Sequence, residues 1–143
     1  MVTVLFACVA NAGRSQMAAA LFNQIADPTK AHAISAGTRP GTAVHPEVVA
    51  VMREGGIDLS GVQPRLLTPE LASSAQLLIT MGCGDECPYV PGVTRDDWAL
   101  DDPAGQPIQR VRQIRDEIEA RVRTLVKSSS FVNNAAKTLR KTT

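Results

Sequence analysis

Cys8 and Arg14 stand with five residues between them near the start of the chain, in Cys8-Val9-Ala10-Asn11-Ala12-Gly13-Arg14-Ser15. A thiol and a guanidinium at this spacing can share one task. The thiolate form of Cys8 is a nucleophile, and the Arg14 guanidinium is a planar fork that matches two oxygens of a tetrahedral oxyanion. The intervening Val9, Ala10, Asn11, Ala12 and Gly13 are small enough for successive backbone N–H groups to converge on that anion. Spacing alone is weak evidence, because a buried structural Cys beside a surface Arg has the same pattern.

Two flanking elements would position these groups. Val2 to Ala7 is an apolar run of the kind found in a buried parallel strand. Gln16 to Gln24 is rich in Ala, Gln, Met and Leu, which favour helix. A strand end, a short loop and a helix start form an oxyanion cradle, because the helix N-terminus contributes about half a positive charge. The same positive elements favour a thiolate at Cys8.

A chain of 143 residues is one domain with room for a sizeable core. Its net charge of +1 gives no general case for nucleic acid or an anionic membrane as partner. No stretch is long and apolar enough for a membrane span, and Val2 to Ala7 is too short for a signal-peptide core. The expected setting is cytoplasmic. Three cysteines in a reducing compartment read as reactive or buried thiols, not as a disulfide framework.

Along the chain, Asp27-Pro28 stops the first helix, and His32 to Gly37 reads as a second strand. His32 is expected to be structural. Pro46 to Glu54 forms a helix closed by Gly55-Gly56, and Thr68-Pro69 opens a brief one. Gln76 to Met81 is a further strand, and Gly92 to Asp97 holds a fourth. Pro107 to Lys127 is a long amphipathic helix with Ile108, Val111, Ile114, Ile118, Val122 and Leu125 on one face. The alternation predicts an α/β fold: a single doubly wound domain over residues 1–127, with a four-stranded parallel sheet flanked by helices. Residues 128–143 are expected to be a flexible, polar, basic tail.

A thiol attacking an oxyanion needs a proton donor for the departing oxygen. The candidates are the carboxylates of Asp101-Asp102-Pro103, and Pro103 restricts the backbone of Asp102. A second thiol-bearing loop, with Cys83 and Cys87, follows the Gln76 to Met81 strand and can approach Cys8 in space.

The early Cys8-(five residues)-Arg14-Ser15 with a late Asp102-Pro103 resembles the low-molecular-weight protein tyrosine phosphatase fold. Asn11-Ala12-Gly13-Arg14-Ser15-Gln16-Met17-Ala18, Ser35-Ala36-Gly37 and Trp98-(three residues)-Asp102-Pro103-Ala104-Gly105-Gln106 resemble the arsenate reductases built on that fold. The resemblance implies that Cys8 attacks arsenate while Arg14 and the loop amides hold it. It also implies that Ser15 hydrogen-bonds the sulfur, Asn11 braces the loop and Asp102 is the general acid. A second thiol would then attack Cys8, releasing arsenite.

In thioredoxin-linked members two further cysteines relay the disulfide. Here only three residues separate Cys83 from Cys87, and Gly82 stands where the first relay cysteine is expected. That spacing resembles actinobacterial relatives served by mycothiol and mycoredoxin, and it favours an external thiol over an internal relay through Cys83 and Cys87 to thioredoxin. No bound cofactor is implied. Ala19 and Arg65 stand where acidic ligands of a family cation site would be, so no metal site is expected. The rival within the fold is a tyrosine phosphatase, but Ala104-Gly105-Gln106 supplies no aromatic wall for a phosphotyrosine ring. Phosphate and sulfate would compete with arsenate. A noncatalytic oxyanion-binding protein is the rival of another class, and it would need neither Cys8 nor Asp102.

Overall fold

The computed structural model describes residues 1–82 and 90–131. Its elements run β1 (Val2–Cys8), α1 (Arg14–Ile25), β2 (Ala31–Gly37), α2 (Pro46–Glu54), α3 (Pro69–Ser73), β3 (Leu77–Thr80), β4 (Thr94–Asp97) and α4 (Ile108–Ser128). The strands form one parallel sheet in the order β2-β1-β3-β4. The expected α/β class, four-stranded parallel sheet and flanking helices are all present. The apolar β1 lies in the interior of the sheet, where both of its faces are covered.

Period-two alternation in β1 divides the core. Val4, Phe6 and Cys8 face the larger cluster, shared with Met17 and Phe22 of α1, Val48 and Met52 of α2, and Ile114 and Ile118 of α4. Leu5 and Ala7 face the smaller one, with Ala36, Leu67, Ala72 and Leu78. Phe6 anchors the larger side, with its ring centroid 6.1 Å from Phe22 and 5.5 Å from Trp98. Among the described residues, the short helix α3 covers this second face through Ala72 and Leu71.

Strand β2 is an edge. Its outward backbone at Ala33 is satisfied by Asn23 of α1, which donates to the Ala33 carbonyl at 2.9 Å and accepts from the Ala33 amide at 2.7 Å. The side-chain amide thus takes the place of a neighbouring strand. At the other edge, all four residues of β4 are exposed, and Arg95, Asp96 and Asp97 blunt it with charge.

The apolar face of α4 differs from the expected one at both ends. Ile108 is 38% exposed, and Val126, not Leu125, completes the buried row Val111, Ile114, Ile118, Val122. Leu125 and Val126 are neighbours on the same broad apolar face, and packing against the core buries Val126 fully and Leu125 only in part. Most of the expected tail, from residue 132 on, lies outside the described residues, and residues 128–131 continue from α4. Ser128 still belongs to α4, the Asp27 amide donates to the Phe131 carbonyl at 2.8 Å, and the Phe131 ring lies 6.2 Å from Phe22. Among the described residues no helix is long and apolar enough to cross a membrane.

Candidate active site

Strand β1 carries Cys8 to the C-terminal end of the sheet, and α1 begins six residues later. The loop between is gripped from outside by the segment joining β2 to α2. Amides of Thr38, Arg39, Gly41 and His45 donate to the carbonyls of Cys8, Val9, Ala10 and Ala12 at 3.1, 2.8, 2.9 and 2.9 Å. The Gly13 carbonyl accepts from the Met17 amide at 3.0 Å, and the Asn11 carbonyl from the Gln16 side chain at 3.1 Å. No peptide bond here is cis. A trans peptide points its C=O and the following N–H to opposite sides, so engaging the carbonyls outward turns the next amides inward. Among the described residues, none of the amides from Val9 to Arg14 donates to a protein acceptor. Amide donors in a buried loop nearly always have partners, and a row of them facing one way is a seat for an oxyanion. The N-terminus of α1 adds to it, with no acidic residue in its first turn and no side-chain cap.

Cys8 is 2% exposed at the floor of this loop. Its Sγ lies 2.9 Å from Ser15 Oγ, and Asn11 Nδ2 donates to the same Oγ at 2.8 Å. The Asn11 amide is oriented from its other end, because its Oδ1 accepts from Gln16 Nε2 at 3.1 Å and from the Arg65 amide at 2.9 Å. Asn11 also adopts a left-handed backbone, φ 52°. Asn tolerates that conformation better than most residues, so its structural and bracing roles coincide. Arg65, expected only as a missing cation ligand, contributes its backbone N–H to this brace.

Arg14 leans away from the sheet toward the loop after β4. Its Nη1 donates to the Leu100 carbonyl at 3.2 Å, and its Nη2 lies 3.8 Å from Asp102 Oδ2. The two candidate carboxylates part company here. Asp101 accepts from Arg110 of α4 at 2.6 Å, whereas Asp102 faces Arg14 and accepts from the Ala104 amide at 3.0 Å. Pro103 packs so closely on Gly13 that a Cβ at 13 would lie 2.8 Å from Pro103 Cγ. Gly82 passes beneath Arg14 in a left-handed conformation, φ 98°, and a Cβ there would lie 2.4 Å from Arg14 Nη1. Cys8, Asn11, Arg14 and Ser15 therefore share one end of the sheet with Asp102, which is far from them in sequence. Cys83 and Cys87 lie outside the described residues, and His32 sits in β2 near the opposite end. Sequence reasoning missed Gln16, Leu100 and Gly82. Leu100 acts through a backbone carbonyl that carries no motif, whereas Gln16 stands within the motif from Asn11 to Ala18 and Gly82 left a signal as a glycine ending a strand. Among the described residues no three His, Cys, Asp or Glu side chains group as a metal site would require.

The model of the low molecular weight phosphotyrosine protein phosphatase family matches residues 3–140. The chain belongs to that family. Within it, the chain is 43% identical over 121 residues to a Halobacterium salinarum protein that carries a provisional arsenate reductase name, covering 82% of this chain and 85% of that one. It is 34% identical over 126 residues to arsenate reductase 1 of Staphylococcus epidermidis, covering 85% and 93%. Among solved structures, the thioredoxin-dependent arsenate reductase of Corynebacterium glutamicum superposes with a TM-score of 0.76 at 40% identity. That match covers 90% of this chain, which spans only 61% of the corynebacterial one.

Proposed function

We propose that this phosphatase-family chain is an arsenate reductase that works through a covalent adduct on Cys8. The observation that carries the reading is the row of amides from Val9 to Arg14 that find no protein acceptor among the described residues, in the loop that Cys8 opens. Arsenate fits that seat with its oxygens on the amides and the Arg14 fork. The Cys8 thiolate attacks arsenic, an As–O bond breaks, and the departing oxygen takes a proton from Asp102 and leaves as water. A second thiolate then attacks Cys8 Sγ. The S–As bond breaks with its electron pair on arsenic, arsenate having been reduced to arsenite, and the two sulfurs are left as a disulfide.

The names of the relatives support arsenate as substrate. So does the sequence after Asp102-Pro103, where Ala104 and Gly105 offer no aromatic slot for phosphotyrosine. Slow hydrolysis of phosphate esters is an expected side activity, since phosphate shares the shape and charge of arsenate. Simple oxyanion binding would leave Cys8 and Asp102 without purpose.

For the second thiol, the reading is an external one, mycothiol with mycoredoxin. Its support is Gly82, whose position under Arg14 leaves no room for a cysteine side chain without displacing the guanidinium. The corynebacterial structure, thioredoxin-dependent by name, favours the second reading, a relay through Cys83 and Cys87.

The test is arsenite formation by the purified chain, supplied in parallel with mycothiol and mycoredoxin or with thioredoxin. Cys8→Ser is expected to abolish turnover with either, and retained turnover would overturn the adduct mechanism. The double change Cys83→Ser, Cys87→Ser is expected to leave the mycothiol-supported rate intact. Its loss there would establish the internal relay.

A further inference from the structure

The loop bearing Asp102 spans the gap between β4 and α4 and is held on three sides. Arg14 takes the Leu100 carbonyl, Arg110 of α4 takes Asp101, and a third group comes from α2. This third group is Glu47, half-buried in the first turn of α2, whose Oε1 accepts a hydrogen bond from the Gly105 amide at 3.2 Å. Gly105 has φ 70°, and the Gln106 amide closes the turn onto the Pro103 carbonyl at 3.1 Å. Asp102 accepts from Ala104 inside the same turn. A constraint on Gly105 is therefore passed through two peptide units to the Asp102 carboxylate. Arg14 alone does not hold that carboxylate, since the ion pair is long at 3.8 Å and Asp102 is 59% exposed.

We propose that Glu47 is a positioning residue for the general acid: by anchoring the Gly105 amide it keeps the Asp102 carboxyl over the oxyanion seat. Glu47 is remote from Cys8 in sequence and touches none of the reacting groups, so it acts through Asp102. The same segment also fixes the nucleophile loop, because the His45 amide, two residues before Glu47, holds the Ala12 carbonyl at 2.9 Å. One short stretch at the start of α2 thus sets the distance between nucleophile and acid.

The inference rests on the reading of Asp102 as the acid, and a double-mutant cycle separates the two. In the full chain, with arsenate and a saturating thiol reductant, Glu47→Ala is expected to lower kcat about tenfold with KM changed less than about twofold. Glu47→Gln, which keeps an acceptor oxygen for Gly105, is expected to recover most of that loss. In an Asp102→Asn background, Glu47→Ala is expected to cost nothing further, since the group it positions is gone. If the two losses multiply, Glu47 does not act through Asp102 and the proposal falls. If Asp102→Asn itself keeps the parent rate, the general-acid reading falls and takes this proposal with it. If Glu47→Ala is misfolded by circular dichroism, Glu47→Gln and its double mutant decide. A Glu47→Gln rate as low as that of Asp102→Asn would overturn the proposal, because the anchoring bond survives in that variant.

Discussion

Ser15 has one hydroxyl proton to donate and two lone pairs to offer. Asn11 Nδ2 occupies one lone pair, and among the described residues the acceptor in reach of the proton is Cys8 Sγ. With Cys8 as a thiolate, which can only accept, the hydrogen bonds run in one direction, from Gln16 and the Arg65 amide through Asn11 and Ser15 to the sulfur. Such a chain is polarised toward an anionic end and would stabilise a thiolate nucleophile. Ser15→Ala removes the last donor and also strands Asn11 Nδ2, which is buried. The expected result is a loss of about 10- to 100-fold in the rate of arsenite formation, by analogy with other single-donor deletions at preorganised sites. Ser15→Thr keeps the hydroxyl and should retain far more of the rate. Equal losses in the two variants would show that the hydroxyl does not serve the sulfur.

At the scale of elements, the site is assembled by four strand-to-helix or strand-to-strand connections that meet at one end of a parallel sheet, as is usual for this architecture. Gly82, at the end of β3, shows how tightly they meet. An alanine there would need both a left-handed backbone and the space taken by Arg14 Nη1. The nearer obstacle is the tip of a flexible side chain, so Arg14 can yield while the fold persists. Gly82→Ala is accordingly expected to raise KM for arsenate about tenfold through a displaced guanidinium, with a stability cost of only about 1–2 kcal/mol from the backbone. Steady-state kinetics and a denaturant melt would check both halves. An unchanged KM would mean that Arg14 is not held by this contact. Asn23 plays a comparable part away from the site. Asn23→Ala leaves both backbone groups of Ala33 to solvent at the β2 edge, with an expected loss of about 1–2 kcal/mol in urea unfolding.

Across the whole molecule, α2 is tied to α4 by one carboxylate. Glu54 accepts from Arg112 at 2.8–3.1 Å and from Arg115 at 2.8 Å, and Arg115 also donates to the Val51 carbonyl at 2.9 Å. These hydrogen bonds, first from Arg112 and then from Arg115, hold the Glu54 carboxyl down at about 2, from an ordinary value of 4.5. A depressed value in the folded chain means that the ionised form binds better there than in the unfolded chain. The stabilisation is therefore complete above about pH 5 and lost as pH falls toward 2. Comparing melting temperatures of the parent and Glu54→Gln as a function of pH should show a gap at neutral pH that closes through that window. The site is exposed, so the gap will be modest and will shrink with added salt. Since α2 also carries Glu47 and follows directly on His45, loosening this clamp is expected to reach the acid loop.

Much of this protein was legible in its residues alone. The alternation of short apolar runs with helical stretches determined a parallel α/β sheet, because local periodicity decides which faces can be buried. Cys8, Arg14 and Ser15 marked the loop, and Asp102-Pro103 marked a candidate acid. Pro103 and the family resemblance singled out Asp102 over Asp101, but what each carboxylate meets is a matter of tertiary packing, which turns Asp101 toward Arg110 of α4 and Asp102 toward Arg14. Nor does any local pattern report which way a peptide points. The inward amides of the Cys8 loop exist because Thr38, Arg39, Gly41 and His45 take its carbonyls from outside. Gly82 under Arg14 and Glu47 on Gly105 are likewise contacts between distant segments. Residue types named the chemistry, and long-range packing chose the geometry, since side-chain reach is local in space but not along the chain.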